Sequence, residues 1–438
     1  MGHLGGKGVY KQLGNKIDGL AMRAPWNDAL YQILKELYTR EEAEIVVKMP
    51  YGLSSFERVA KVTQCEEGKL RRLLDSLCSK GLVVDLWINE EYMYMPSPMA
   101  VGIFEMTMMR TEPQANHKTW ARLFHDYLSG DGTFFEANFG HGEKASQLRT
   151  LAHEEAIDGG DYVEVLDYEG ANSIIEESER SAIGYCSCRH EKFHLGEKAC
   201  SVPLNKCSSF GLVAEYLVRR KMAREVSKSE LLENIAQSKE LKLVLAADNI
   251  KQKPSFICHC CQCCCNVLVG INTHGFPNIL VSSSYISGTD EGKCTGCEKC
   301  AKACPISAIK MVPSGADSET KKRKAPKVNE SICLGCGVCG LACPKDAVKL
   351  VKRGKRVFHP ETTFERVILQ SLDRGTLQNQ LFDNPQSITH KTMRGILGAF
   401  LRLSPVKRTL MSDLLRSRFL ASMKAGVRMQ GHGWLTEI

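Results

Sequence analysis

Apolar residues first fall into step at Leu30, Ile33, Leu34 and Leu37, three and four apart, behind Asn27, whose side chain can accept a first-turn N–H; this predicts a capped amphipathic helix. The same period returns in Phe56, Val59 and Val62 after Ser54 or Ser55, and in Leu70, Leu73, Leu74 and Leu77, with Gly81 as the stop. Residues 82–86 and 92–95 then read as two short strands across the polar stretch 88–91. The first 25 residues show neither period and read as an extended arm. From His117 a helix places Trp120, Leu123, Phe124 and Tyr127 on one side, and the aromatics of GTFFEANFG read as core. A strand is predicted over 162–166 and a helix over 171–181, with Glu176, Glu177 and Glu179 solvated. Helices follow in GLVAEYLVRR and behind Ser227 or Ser229, the latter carrying Leu231, Leu232 and Ile235, with strands over 241–245 and 279–286. After Val351 helices return: Ile396, Leu397, Phe400 and Leu401 form a stripe, and Pro405 opens a new helix after Ser404.

Helix, helix-turn-helix and hairpin, in that order, resemble a winged helix over 27–95. That resemblance raises DNA as a partner. The candidate recognition helix, however, sets Lys69, Arg71, Arg72 and Lys80 against Glu66, Glu67 and Asp75, a near-neutral balance where phosphate contacts need a basic face. Protein docking or a structural use is therefore favoured over DNA.

Composition narrows the class. At 438 residues, roughly three domains are expected, and 43% hydrophobic with 25% charged residues describes a globular chain. No run is apolar and long enough for a transmembrane helix, and the glycine-rich N-terminus lacks the apolar core of a secretory signal, so a cytoplasmic location is expected. In a reducing compartment twenty cysteines argue for metal binding over disulfides. All but Cys65 and Cys78 lie between Cys186 and Cys343. The net charge of +8 is concentrated late, where Lys391, Arg394, Arg402, Lys407, Arg408, Arg416, Arg418, Lys424 and Arg428 face Asp413.

One motif is written twice: CTGCEKCAKACPISAIKMV over 294–312 and CLGCGVCGLACPKDAVKLV over 333–351, in the pattern C-x2-C-x2-C-x3-C-P. Cysteines three apart in a tight loop can wrap three corners of a cubane, and a fourth thiolate must come from elsewhere. Zinc sites and disulfide frameworks are not spaced in this way. The doubled run closely resembles a bacterial-type ferredoxin with two [4Fe-4S] clusters. That resemblance implies crossed ligation: Cys294, Cys297, Cys300 and Cys343 around one cluster, and Cys333, Cys336, Cys339 and Cys304 around the other. Pro305 and Pro344 then turn the chain away without a backbone N–H.

A second cysteine territory precedes it. In IGYCSCRHEKFHLGEKACSVPLNKCSSFG, Cys186 and Cys188 would share one face of an extended strand, and Cys200 and Cys207 complete four thiolates, a ligand set for a third [4Fe-4S] cluster or a structural zinc. Arg189, His190, Lys192 and His194 would lie beside it, with His190 or His194 as alternative ligands. FICHCCQCCCNVLVG then holds Cys258, Cys260, Cys261, Cys263, Cys264 and Cys265, and C-x2-C pairs are available as Cys258 with Cys261, Cys260 with Cys263, and Cys261 with Cys264. A fourth [4Fe-4S] cluster would leave two thiols over, to exchange ligands with Cys186 and Cys188, to hold something larger than a cubane, to open an iron to substrate, or to remain spare. These signatures resemble ferredoxin-bearing iron-sulfur proteins of anaerobic microbes, which implies electron transfer in an anaerobic cytoplasm.

The expected fold is α+β and multidomain: an extended arm (1–25), a winged helix (26–98), a helical connection (99–175), a cysteine-rich α/β middle (176–286), a two-cluster ferredoxin-like domain (287–355) and a basic helical docking region (356–438). No glycine loop for a nucleotide follows a strand, so flavin or nicotinamide chemistry would belong to another subunit. The expected role is a multi-cluster subunit relaying single electrons between protein partners of a redox complex. A redox-responsive DNA-binding regulator and a reductase with its substrate site at residues 258–265 are the alternatives. Lys321, Lys322, Arg323, Lys324, Arg394, Arg402, Lys407 and Arg408 are candidate docking residues, and the basic C-terminal helices could instead touch an anionic membrane surface.

Overall fold

A computed structural model describes residues 2–159, 170–313, 324–354 and 357–438. The expected strand over 162–166, and Lys321, Lys322 and Arg323, lie outside the described residues. The N-terminal arm is not extended. Gly2–Asp18 is a helix whose Val9, Leu13 and Ile17, four apart, are buried against Arg40–Lys48. Its glycines mask that stripe in the sequence.

Asn27 caps Asp28–Leu37 by accepting from Leu30 N–H, and Leu30, Ile33, Leu34 and Leu37 are buried. The helix Arg40–Lys48, which hydrophobic period alone does not announce, is fixed by a capping box between Thr39 and Glu42. Phe56–Thr63 and Glu67–Ser79 follow, then the hairpin Val83–Ile88 and Glu91–Pro96, turned by Asn89 and Glu90, both at positive φ. Ser54–Ser55 adds a third antiparallel strand beside Glu91–Pro96. This unit is fastened to the middle of the chain by Asp85, buried, which accepts from Arg219 and Arg220 at 2.6 Å each.

Seven strands form the central sheet, in the order Leu280–Val281, Leu148–Leu151, Val244–Asp248, Phe256–Cys260, Cys207–Phe210, Ser181–Gly184, Ala223–Glu225, antiparallel except for the first pair. One face packs Leu151, Phe210, Leu245 and Ile257 against Ile174 and Ile175 of Ala171–Glu177 and Leu231 and Ile235 of Lys228–Glu240. Leu232, expected inward, is exposed on the far side of that helix. Because Lys228–Glu240 runs on to Leu241 as its cap, the strand expected over 241–245 starts later, at Val244. The strand expected over 279–286 is two strands in different sheets: Leu280–Val281 edges the central sheet, and Tyr285–Thr289 pairs with Val348–Lys352. The break falls at Ser283, whose hydroxyl and N–H bond Gly335 and Leu334 of the second cysteine run.

At the C-terminus, Thr363–Asp373, Leu377–Leu381, Ile388–Leu401, Ser404–Leu410 and Arg416–Met429 gather around Ile368, Leu369, Leu372, Leu377 and Leu401. The stripe expected on Ile388–Leu401 is only half used, since Leu401 is buried while Ile396 and Phe400 are exposed. Among the described residues no helix is long and apolar enough to cross a membrane.

Candidate metal centres

The doubled motif is repeated in the backbone as well as in the sequence. Left-handed φ recurs at matching positions: Gly296 and Gly335, Glu298 and Gly337, Ser307 and Asp346. Glycine is required at Gly335, where a Cβ would meet the Tyr285 carbonyl at 2.2 Å. Short helices, Lys299–Ala303 and Val338–Leu341, start at the second left-handed residue of each copy. Antiparallel pairs hold the two ends: Tyr285–Thr289 with Val348–Lys352, and Ile309–Pro313 with Lys324–Val328.

Two cavities result. One is lined by Cys294, Cys297, Cys300 and Cys343 with Met311 and Val348. The other is lined by Cys304, Cys333, Cys336 and Cys339 with Ile306, Ile309 and Leu350. Each cavity therefore takes three cysteines from one copy and the last from the other. Sulfurs at equivalent places receive backbone N–H groups: Ala308 to Cys304 at 3.2 Å and Ala347 to Cys343 at 3.3 Å. The Ser287 hydroxyl lies 3.3 Å from Cys339 Sγ. Burial pushes the Cys304, Cys336 and Cys339 thiols up, Cys339 to about 11, so a bound cation is needed to hold them as thiolates. Cys297 is exposed and its thiol is lowered by the Lys299 N–H, which puts the first cavity at the surface. Four thiols, apolar walls and N–H donors to sulfur fit a cubane cluster in each cavity.

The ten cysteines from Cys186 to Cys265 sort by space rather than by chain order. Cys186 and Cys188 do not share a strand. Cys186 caps the helix Ser187–Leu195 and Cys188 lies in its first turn, because Ser181–Gly184 ends before them. Cys207 opens the strand Cys207–Phe210. Cys258 and Cys260 face one side of Phe256–Cys260, while His259 between them turns to the other side and bonds Ser208 and Ser238. Cys265 caps Asn266–His274.

Cys200 therefore leaves its expected set and joins Cys261, Cys263 and Cys264, the four sulfurs lying within 4.8 Å of one another. Cys263 and Cys264 are 3.5 Å apart, and Cys200 and Cys261 3.7 Å. The remaining six form a chain of thiol contacts: Cys186, Cys188, Cys265, Cys260, Cys258, Cys207. Within it Cys265 and Cys258 are held well below the ordinary thiol value, each by accepting from two neighbouring thiols; Cys265 gains further from the N–H groups of Val267 and Leu268. Cys188, Cys260 and Cys207, which donate, are pushed up.

Of Arg189, His190, Lys192 and His194, Arg189 is the one that reaches a sulfur. Fully buried, it donates to the carbonyls of Pro203 and His259 and stands 3.6 Å from Cys261 Sγ. Burial disfavours its charge, but Cys186, Cys261 and Cys200 outweigh that and raise its pKa, so one cation serves both groups. The Cys261 thiol is lowered to about 5 by the Cys264 thiol, with Arg189 adding to the effect. Lys192 instead pairs with Glu197, and His190 and His194 turn to His117. Neither the partnership of Cys200 with the later run nor that of His117 with the two later histidines has a signal in the sequence, since each joins segments far apart in the chain.

The candidate docking residues have local tasks. Lys324 pairs with Glu298, Arg394 donates to the carbonyls of Phe382 and Asn384, Arg402 to Gly375 and Lys407 to Asp373, while Arg408 is exposed. On the helix Glu67–Ser79 and its cap, Lys69 pairs with Glu41, Arg71 lies over the Phe56 ring and Lys80 pairs with buried Glu42.

Residues 293–347 match the family model described as the 4Fe-4S dicluster domain. No curated protein and no solved structure matches the chain.

Proposed function

We propose that this chain is a multi-cluster iron-sulfur subunit that relays single electrons between protein partners in an anaerobic cytoplasm. The observation that carries the reading is the pair of cavities, each lined by four cysteines in the crossed arrangement. In this reading Cys294, Cys297, Cys300 and Cys343 hold one [4Fe-4S] cluster and Cys333, Cys336, Cys339 and Cys304 a second. A third sits on Cys200, Cys261, Cys263 and Cys264, and the fourth on the six-thiol group. Exposed Cys297 makes the first cluster the point of exchange with a partner. The winged-helix reading of 26–98 is kept as a docking module, since Lys69, Arg71 and Lys80 already have partners within the chain and leave little for phosphates. The C-terminal helices suit an acidic protein partner through Arg408, with Ile396 and Phe400 exposed nearby in the sequence.

Anaerobic purification with iron and sulfide analysis tests the count: four cubanes give about sixteen irons per chain, and about eight would remove both clusters outside the ferredoxin unit. The six-thiol group exceeds what one cubane takes, and this favours a second reading, a reductase with its substrate site there. Sustained turnover of the isolated chain with an artificial reductant would select that reading over a pure relay.

A further inference from the structure

We propose that His117, His190 and His194 form a separate site for a divalent late first-row metal ion, zinc foremost, with one coordination position open. His117 begins the helix His117–Ser129; His190 and His194, four apart, share one face of Ser187–Leu195. One ring nitrogen from each lies within 4.8 Å of the other two. The Nε2 atoms of His190 and His194 are 2.9 Å apart.

Two of the rings are already oriented. His190 Nδ1 is 2.6 Å from the Met108 carbonyl, and His117 Nε2 is 2.7 Å from the Arg110 carbonyl. A carbonyl only accepts, so both of these nitrogens carry the proton. His190 Nε2 and His117 Nδ1 are left as lone pairs. Backbone carbonyls that fix the tautomer of a ligating imidazole are the usual outer support of a metal site. A tetrahedral ion with metal–nitrogen bonds near 2 Å sets its nitrogens about 3.4 Å apart, wider than the present His190–His194 spacing and inside the 4.8 Å span. The His117 and His194 rings are stacked, with centroids 4.9 Å apart and planes 11° apart, so the half-exposed His194 ring must turn before its lone pair converges with those of His190 and His117. Tyr185 and Trp120 pack edge-on against His190 and His117. His190 is buried while His117 and His194 are half-exposed, so the remaining position faces solvent. Three neutral imidazoles with an open position are the donor set of a Lewis-acid zinc that binds water or a small anion.

Cobalt(II) titrated anaerobically into the holoprotein, with its clusters in place, tests this independently of the electron-relay reading. About one equivalent should give visible bands of a tetrahedral ion without thiolate-to-cobalt charge transfer, and zinc should displace it. His194→Ala, at a half-exposed position, should abolish those bands with iron content unchanged, and His117→Ala should do the same. Absence of the bands in the parent protein, their persistence in His194→Ala, or a thiolate charge-transfer band would overturn the site.

Discussion

The backbone N–H of His153 donates to the carbonyl of Cys336 at 3.1 Å. The His153 imidazole reaches the other way, donating from Nε2 to the carbonyl of Leu243 at 2.8 Å, and Leu243 packs with Cys261 and Cys264. One buried residue thus bridges the ferredoxin cavity lined by Cys336 and the four-thiol group. Burial lowers its pKa, which keeps the ring neutral.

If electrons cross here, His153→Phe should slow re-reduction of the ferredoxin clusters without loss of iron. The orphaned Leu243 carbonyl should cost about 1–3 kcal/mol in stability. His153→Gln, which can restore a donor, should recover both in part. Rapid-freeze EPR after mixing with reductant checks the rate, and equal rates in all three proteins would place the route elsewhere.

Arg189 makes a different prediction. A cation beside thiolates favours the reduced, more negative cluster, so Arg189→Gln should lower the midpoint potentials of clusters on the two thiol groups and leave the ferredoxin pair unmoved. Lys at this position retains charge but not the fork that spans the Pro203 and His259 carbonyls, so it should restore potential better than stability. An EPR-monitored redox titration of the parent protein and the two variants checks these shifts.

Crossed ligation can be checked by pairing variants across the two copies. Cys343→Ser should alter the same EPR signal as Cys294→Ser, although the two residues lie in different copies of the motif, and Cys304→Ser should alter the signal affected by Cys333→Ser. Signals grouped by copy instead would defeat the crossing.

Legibility in the sequence follows from how local the determining interactions are. Asn27 with its apolar face, Gly81 at positive φ and the cysteine spacing within each copy of the doubled motif act within a few residues of themselves, and the corresponding elements stand where the sequence places them. The helix Arg40–Lys48 rests on a cap, Thr39 with Glu42, that hydrophobic period does not reveal. Cys186 and Cys188 mislead because C-x-C fits a strand as well as a helix start, and the chain ends its strand at Gly184. The partners of Cys200 depend on how the turn at 261–264 packs against a distant loop, which no local pattern encodes.

Asp85 joins the N-terminal unit to the helix Gly211–Arg219 and its cap. Removing one side of a buried ion pair strands the other, so Asp85→Ala should destabilise by about 3 kcal/mol or more. Anaerobic urea unfolding measures it. Arg220 also reaches Asp75 at 2.7 Å on the exposed side, and Asp75→Ala should cost under about 1 kcal/mol.

Asp248 gives the pH dependence. It is buried on Val244–Asp248, accepts from the Ser255 N–H at 3.0 Å, and is pushed up to about 6 by burial, against the opposing pull of Arg366 and Arg149. A carboxyl raised in the folded state binds its proton more tightly there than in the unfolded chain. Its stabilising contribution is complete below the unfolded value near 4, falls as pH rises through about 6, and is flat above that. The whole change is about 3 kcal/mol, of which roughly half falls between pH 5 and 7. Asp248→Asn keeps an acceptor for Ser255 and does not titrate. Its absolute stability also reflects what Arg366 and Arg149 lose, so the slope is the readout. Anaerobic urea unfolding near pH 5, 6 and 7 should show the parent protein losing stability relative to Asp248→Asn as pH rises, by about 1–2 kcal/mol over that range. A parallel pair of curves would mean that Asp248 keeps the same charge throughout.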